Sequence, residues 1–247
     1  MARRRVVLFD FDHTLVEDNS DTFVPLRLEP SLQAHFRAEH ARGVPWTALM
    51  NDVMGRLHAA GHGEAALTAA LRALPAHAGM QAAVRAAAAA GAHVAVISDA
   101  NAFFISVWLA HVGLAPLVAA VHTNPAAFET SGRLRLEPHH ARDAPPHGCA
   151  RCPPNMCKGK IVDEIVPRGG DGDGGGNNDG VRVFYAGDGS GDVCPALCLR
   201  AGDVAAARAE CAMARQLLAE GERLRARLVV WRDGDDVLRA LQAWLDE

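Results

Sequence analysis

The stretch Arg5-Val6-Val7-Leu8-Phe9-Asp10-Phe11-Asp12-His13-Thr14-Leu15 runs from an apolar, β-branched segment straight into two aspartates one residue apart. Val6 to Phe9 has the pattern of a strand covered on both faces in a parallel sheet. Side chains two positions apart on an extended backbone point the same way, so both carboxylates emerge together at the strand's carboxyl end. Open α/β sheets place their ligands there. Crowded carboxylates repel, which raises one pKa unless a cation is present. Three readings follow: a bound divalent metal, a carboxylate kept as an acid, or simply an aspartate capping the next element.

The remaining chain alternates helix and strand patterns. After Thr14 it turns polar and then helical, with helices expected at residues 31–42, 47–60 and 63–74, punctuated by Pro30, Gly43-Val44-Pro45 and Gly61-His62-Gly63. No strand pattern interrupts that span, so a small helical module is inserted after the first strand. An alanine-rich helix over 80–90 follows, and its small side chains suit close packing on a sheet. A second strand, His93 to Ile97, ends in Ser98-Asp99-Ala100-Asn101. Ser98 there either caps a helix or, beside the N–H groups of a helix over 102–111, binds an anion. A third strand is expected over 116–122, a short hairpin element near 132–136, and a helix over 158–166. Residues 168–180 form a glycine-rich insert that reads as a flexible linker. The strand Val181 to Ala186 leads into Gly187-Asp188-Gly189-Ser190-Gly191-Asp192, a tight turn carrying two more carboxylates. Helices over 194–200, 211–220 and 235–245 and strands over 203–206 and 228–231 close the chain. The fold class is α/β, a doubly wound parallel sheet with a small helical cap inserted after the first strand. The expected domains are residues 1–16 and 80–247 as the core and 17–79 as the cap.

Composition narrows the function. A net charge of −4 argues against nucleic acid as partner. No apolar run is long enough for a membrane span, and six unevenly spaced cysteines suit a reducing compartment, so a soluble cytoplasmic protein is expected.

Asp10 and Asp12, Ser98, Lys158, and Asp188 with Asp192 together suit phosphate-monoester hydrolysis. That reaction needs a positioned nucleophile and neutralised phosphoryl oxygens. In this order the four segments resemble the motifs of the haloacid dehalogenase (HAD) superfamily, and the helical insert is similar to the cap of its phosphoserine phosphatase-like branch. Val16-Glu17-Asp18-Asn19-Ser20-Asp21, Ile97-Ser98-Asp99-Ala100-Asn101, Cys149-Ala150-Arg151-Cys152-Pro153-Pro154-Asn155-Met156-Cys157-Lys158 and Gly187-Asp188-Gly189-Ser190-Gly191-Asp192 further resemble the phosphoethanolamine/phosphocholine phosphatase family. That family includes pyridoxal-phosphate phosphatases and plant relatives acting on pyrophosphate or thiamine monophosphate. The resemblance implies that Asp10 is the nucleophile forming an aspartyl-phosphate and that Asp12 is the acid/base. It implies Mg²⁺ held by the Asp10 side chain, the Asp12 carbonyl and Asp188, with Asp192 assisting, and a phosphoryl group bound by Ser98 and Lys158. Asp21 and Asp99 match positions that hold a cationic substrate head. The substrate is then a small phosphorylated metabolite. A phosphotransferase of the same fold and a non-catalytic metal-binding scaffold are the alternatives.

His147, Cys149, Cys152 and Cys157 are four potential soft ligands for a structural zinc, but C-x₂-C-x₄-C is not a standard paired-knuckle spacing and free cysteines often serve as small buried hydrophobes. The tryptophans Trp46, Trp108, Trp231 and Trp244 are read as packing residues.

Overall fold

The computed structural model describes residues 4–141, 143–166 and 180–247, so all but the end of the glycine-rich insert lies outside the described residues. Six parallel strands form the main sheet: β1 (Arg4–Phe9), β2 (His93–Asn101), β3 (Ala120–Asn124), β6 (Val181–Gly187), β7 (Val204–Arg208) and β8 (Arg227–Trp231), in the order β3-β2-β1-β6-β7-β8. A separate antiparallel hairpin joins β4 (Ala126–Phe128) to β5 (Leu134–Leu136).

The side-chain alternation of β1 sorts its residues onto two faces. Val7 and Phe9 join Met80, Val84, Trp108, Leu241 and Trp244 in one apolar cluster. Val6 and Leu8 join Ile161, Val162, Ala196, Met213 and Leu217 in another. Helices α5 (Ala78–Ala89), α6 (Ala102–His111) and α10 (Gly234–Asp246) cover the first face. Helices α7 (Lys158–Ile165), α8 (Val193–Cys198) and α9 (Ala212–Glu220) cover the second. This is the doubly wound core expected from the sequence. Chain order runs outward in opposite directions from β1 and β6, so a crevice opens at their carboxyl ends.

The cap helices are α1 (Ser20–Leu28), α2 (Leu32–Ala41), α3 (Trp46–Ala59) and α4 (Glu64–Arg72). Helix α1 was not expected, because its first turn reads as polar loop and Pro25 sits inside it. It forms because the Asn19 side chain accepts the Thr22 N–H at its start. The third strand begins later than expected, because Pro116 lies in a short 3₁₀ turn, Ala115–Leu117. The apolar cluster of the cap, including Val24, Met50, Val53 and Leu71, takes in Leu134 and Leu136 of the hairpin and Phe104 of α6. Asn51 of α3 mimics a strand partner for β5. Its amide donates to the Leu136 carbonyl (2.6 Å) and its oxygen accepts the Leu136 N–H (2.8 Å). Among the described residues, no helix is long and apolar enough to cross a membrane.

Helices α5 and α10 meet at two glycines. A Cβ on Gly79 would lie 2.4 Å from the Gly234 carbonyl carbon, and one on Gly234 would lie 2.4 Å from the Met80 nitrogen. Backbone atoms are the obstacle, so no side chain can turn aside. Gly79→Ala is therefore expected to destabilise the fold by about 1–3 kcal/mol, read as a lower midpoint in urea unfolding, whereas an unchanged midpoint would contradict this packing.

Candidate active site

Asp10 directly follows β1, and its N–H donates to the Ala186 carbonyl of β6 (2.9 Å), fixing it over the crevice. Its Oδ1 accepts the Phe11 N–H (2.7 Å) and lies 2.9 Å from Lys158 Nζ. A single wide turn follows, closed by the Val16 N–H donating to the Phe11 carbonyl (3.1 Å). His13 takes a left-handed conformation in it, with φ 54°, which is strained for a residue with a Cβ. The Arg208 guanidinium holds that turn by donating to the His13 carbonyl (2.6 Å) while pairing with Glu17 (3.0 Å).

Asp12 is held by the cap. Its Oδ1 accepts the N–H of Ser20, the first residue of α1, at 2.8 Å. Burial first, and then the charge of Asp21, push the Asp12 carboxyl up to about 8, against the opposing pull of the Ser20 hydrogen bond. Asp21 is itself buried and raised to about 7, mainly by burial, although the Trp46 indole donates to its Oδ2 at 2.7 Å. Trp108, Trp231 and Trp244 are packing residues as expected, whereas Trp46 combines stacking on Phe36 with this bond to Asp21.

Lys158 is the first residue of α7 and is buried. A cation at a helix N-terminus opposes the helix dipole, so its placement depends on its carboxylate partners. Those are Asp10 and Asp192, whose Oδ1 is 2.8 Å from Nζ. Burial lowers the lysine pKa, but the charges of Asp10 and Asp192 outweigh it and leave the ammonium well above its ordinary range. Asp192 accepts four hydrogen bonds. Lys158 and the Tyr185 hydroxyl (2.6 Å) reach Oδ1, and the Asp188 and Gly189 N–H groups (3.1 and 2.9 Å) reach Oδ2. Burial would raise its pKa, yet Lys158 and these donors hold it below the ordinary carboxylate range. Gly187 permits the arrangement, since a Cβ there would lie 2.6 Å from Asp192 Cγ.

Asp188 is half-buried at the end of β6, raised to about 6 by burial and then by Asp192. Asp10 is raised well above its ordinary value, by burial first and then by Asp192, with Lys158 opposing. Carboxylate oxygens of Asp10, Asp188 and Asp192 lie within 4.8 Å of one another. The hard carboxylate oxygens of Asp10 and Asp188, with Asp192 beside them bonded to the Lys158 ammonium, fit Mg²⁺ in ligand type.

Ser98 is fully buried in β2, where its Oγ accepts the Ala100 N–H (3.2 Å). The register of β2 shifts between Ile97 and Asn101, and Asn124 props that irregular end by donating to the Asp99 and Ala100 carbonyls (2.6 and 2.9 Å). Asp99 is exposed and lines a cavity of about 870 Å³ between Pro45–Ala48 of the cap and the loop around residues 138–155. The structure thus gathers Asp10, Lys158, Asp188 and Asp192 into one cluster. Asp12 with Asp21 forms a second acidic pair under the cap. Sequence reasoning did not single out Tyr185, Arg208 or Asn124. Each acts through a fold contact, with no motif to mark it. Of the four zinc candidates, the three cysteines converge. His147 does not join them: its Nε2 bonds the Pro153 carbonyl (2.9 Å) and its Nδ1 accepts the Cys149 N–H (3.1 Å). Cys194 stands in its place.

Comparison with known proteins places the chain in a family. A family model described as "Putative Phosphatase" matches residues 5–245. The chain is 33% identical over 244 residues to inorganic pyrophosphatase 2 of Arabidopsis thaliana, covering 98% of this chain and 84% of that protein. It is 35% identical over 252 residues to a phosphoethanolamine/phosphocholine phosphatase of Homo sapiens, covering 98% and 89%. Among solved structures, a substrate-bound phosphoserine phosphatase superposes with a TM-score of 0.60 at 14% identity, covering 97% of this chain and 99% of that one. The chain therefore belongs to this phosphatase family and carries the HAD fold.

Proposed function

We propose that the protein is a Mg²⁺-dependent phosphatase of a small phosphorylated metabolite, working through an aspartyl-phosphate on Asp10. The observation that carries this reading is the Asp10–Lys158–Asp192 ion-pair network at the carboxyl ends of β1 and β6. Asp10 Oδ2 attacks phosphorus, and the bond to the leaving oxygen breaks. Lys158 and Ser98 hold the phosphoryl oxygens. Asp12, protonated at neutral pH because of burial and Asp21, donates its proton to the leaving oxygen. The resulting carboxylate then takes a proton from the water that hydrolyses the aspartyl-phosphate. Asp10, Asp188 and the Asp12 carbonyl would hold Mg²⁺, which when bound supplies positive charge against the repulsion between a carboxylate nucleophile and a dianionic phosphate. Asp192 already accepts four hydrogen bonds, so it serves chiefly to hold Lys158 and the Asp188 turn.

Asp99 in the cavity wall, with Asp21 close enough to feel its charge, favours a leaving group bearing a cation over a polyanion. Phosphoethanolamine, phosphocholine and thiamine monophosphate fit that charge pattern, and pyridoxal phosphate and pyrophosphate complete the candidate set. A phosphotransferase would be recognised by product partitioning on added alcohols.

Phosphate release over these five compounds, with Mg²⁺ and with EDTA, tests the reading. Asp10→Asn is expected to abolish release, and Asp12→Asn to lower kcat by about 10²–10⁴-fold. Asp99→Asn should raise KM for the cationic substrates with little change in kcat. Metal-independent release, or full activity in Asp10→Asn, would refute the mechanism.

The carboxylates also give a pH signature. Asp12, Asp21 and Asp188 bind protons more tightly in the fold than at their ordinary value of 3.8. Between about pH 4 and 8 the folded state thus holds more protons, so stability falls as pH rises through that window. In EDTA the melting temperature should decline from about pH 5 to 8, and Mg²⁺ should raise it most at the alkaline end. A melting temperature in EDTA that climbs steadily over that range would show that these groups are not so perturbed.

A further inference from the structure

Cys149, Cys152, Cys157 and Cys194 place their sulfurs within 4.8 Å of one another. The Cys194 sulfur is 3.7 Å from that of Cys149 and 3.9 Å from that of Cys157, and no disulfide joins any of them. Four thiolates about 2.3 Å from a tetrahedral zinc lie about 3.8 Å apart. We propose that these four cysteines form a structural zinc site, separate from the acidic cluster, with Cys194 and not His147 as the fourth ligand.

Several features favour a metal over simple packing. Cysteines that serve as small hydrophobes sit in the core, whereas here only Cys157 is buried and the other three are half-exposed. The Cys149 sulfur accepts backbone N–H groups from Arg151 and Cys152, an arrangement that stabilises a thiolate. Cys157 occupies the N-cap position of α7, where the helix dipole favours negative charge. His147 has both ring nitrogens engaged within its own loop. Gly159 lets α7 approach Cys194, since a Cβ there would fall 2.6 Å from that sulfur.

The position gives the site a purpose. Cys157 immediately precedes Lys158, and Cys194 is two residues beyond Asp192, the two partners of the buried ion pair. Cys149 and Cys152 line the large cavity. One zinc would tie the cavity loop, the lysine helix and the aspartate turn together, a positioning role with no part in the chemistry.

The test is metal analysis of protein expressed in zinc-supplemented medium, purified without a metal-affinity step and dialysed against EDTA under reducing conditions. About one zinc per chain is expected, released by an organic mercurial in parallel with the formation of mercury–sulfur bonds at four cysteines. Cobalt substitution should give the intense visible bands of a tetrahedral tetrathiolate centre. Cys152→Ser and Cys194→Ser should each lower bound zinc at least tenfold, while His147→Ala keeps it in full. The cobalt spectrum is read on the wild-type chain, so it decides even where a variant misfolds. Zinc below about a tenth of an equivalent with no cobalt band, a native disulfide among these cysteines, or full zinc in Cys194→Ser would each overturn the proposal.

Discussion

The buried ammonium of Lys158 between Asp10 and Asp192 is the constraint on which the rest of the structure turns. A lysine removed from water and set at the positive end of a helix is unfavourable on both counts unless carboxylates meet it at close range. Asp192 can do so because it is the strongest acceptor in the site, with Tyr185 and two backbone N–H groups already holding it ionised. Asp10 is different. Among the described residues no hydrogen bond reaches its Oδ2, and burial first, then the charge of Asp192, push its proton affinity up. The two carboxylates flanking one lysine therefore divide into a fixed anchor and a group whose charge depends on what else enters the site. That division suits an anchor and a nucleophile.

The protonation of Asp12 depends on the cap in the same way. Asp12 belongs to the core turn, yet its hydrogen-bond donor, Ser20, and its charged neighbour, Asp21, both belong to α1. The two linkers of the cap lie side by side: Val16 bridges Ala76, the Glu17 N–H donates to the Pro75 carbonyl, and the Glu17 carboxylate pairs with His77 and Arg208. Arg208 also grips the strained His13 carbonyl. Any swing of the cap about these linkers would withdraw Ser20 and Asp21 together, so cap position and Asp12 protonation are linked through named contacts.

The parts of this arrangement legible in the sequence were those carried by short-range pattern. Apolar runs ending in carboxylates marked β1 and β6, and alternation of helix and strand gave the parallel sheet. Helix α1 was hidden because Pro25 sits inside it and its polar first turn reads as loop, although the Asn19 cap on the Thr22 N–H is a local signal. Trp46 looked like packing because its partner, Asp21, lies 25 residues away. His147 looked like a ligand because it is near in sequence, whereas Cys194, 37 residues beyond Cys157, arrives only when α8 packs on α7. Proximity along the chain misleads wherever a site is assembled across elements.

The two clusters of the molecule, one of oxygen and one of sulfur, share a single piece of scaffolding. Helix α7 starts at Lys158 and α8 one residue after Asp192, and the two pack through Gly159 against the Cys194 sulfur. A residue larger than glycine there would push α8 away, and with it Asp192, lengthening a bond to Lys158 that tolerates little extension. The sulfur cluster and the ion pair are thus constrained by the same helix contact. The sheet alone would place Asp10 and Asp188 at the carboxyl ends of its central strands, but it says nothing about α7. Contact between α7 and α8 brings the ammonium into register with both strands, and the charge balance of the site is settled outside the sheet.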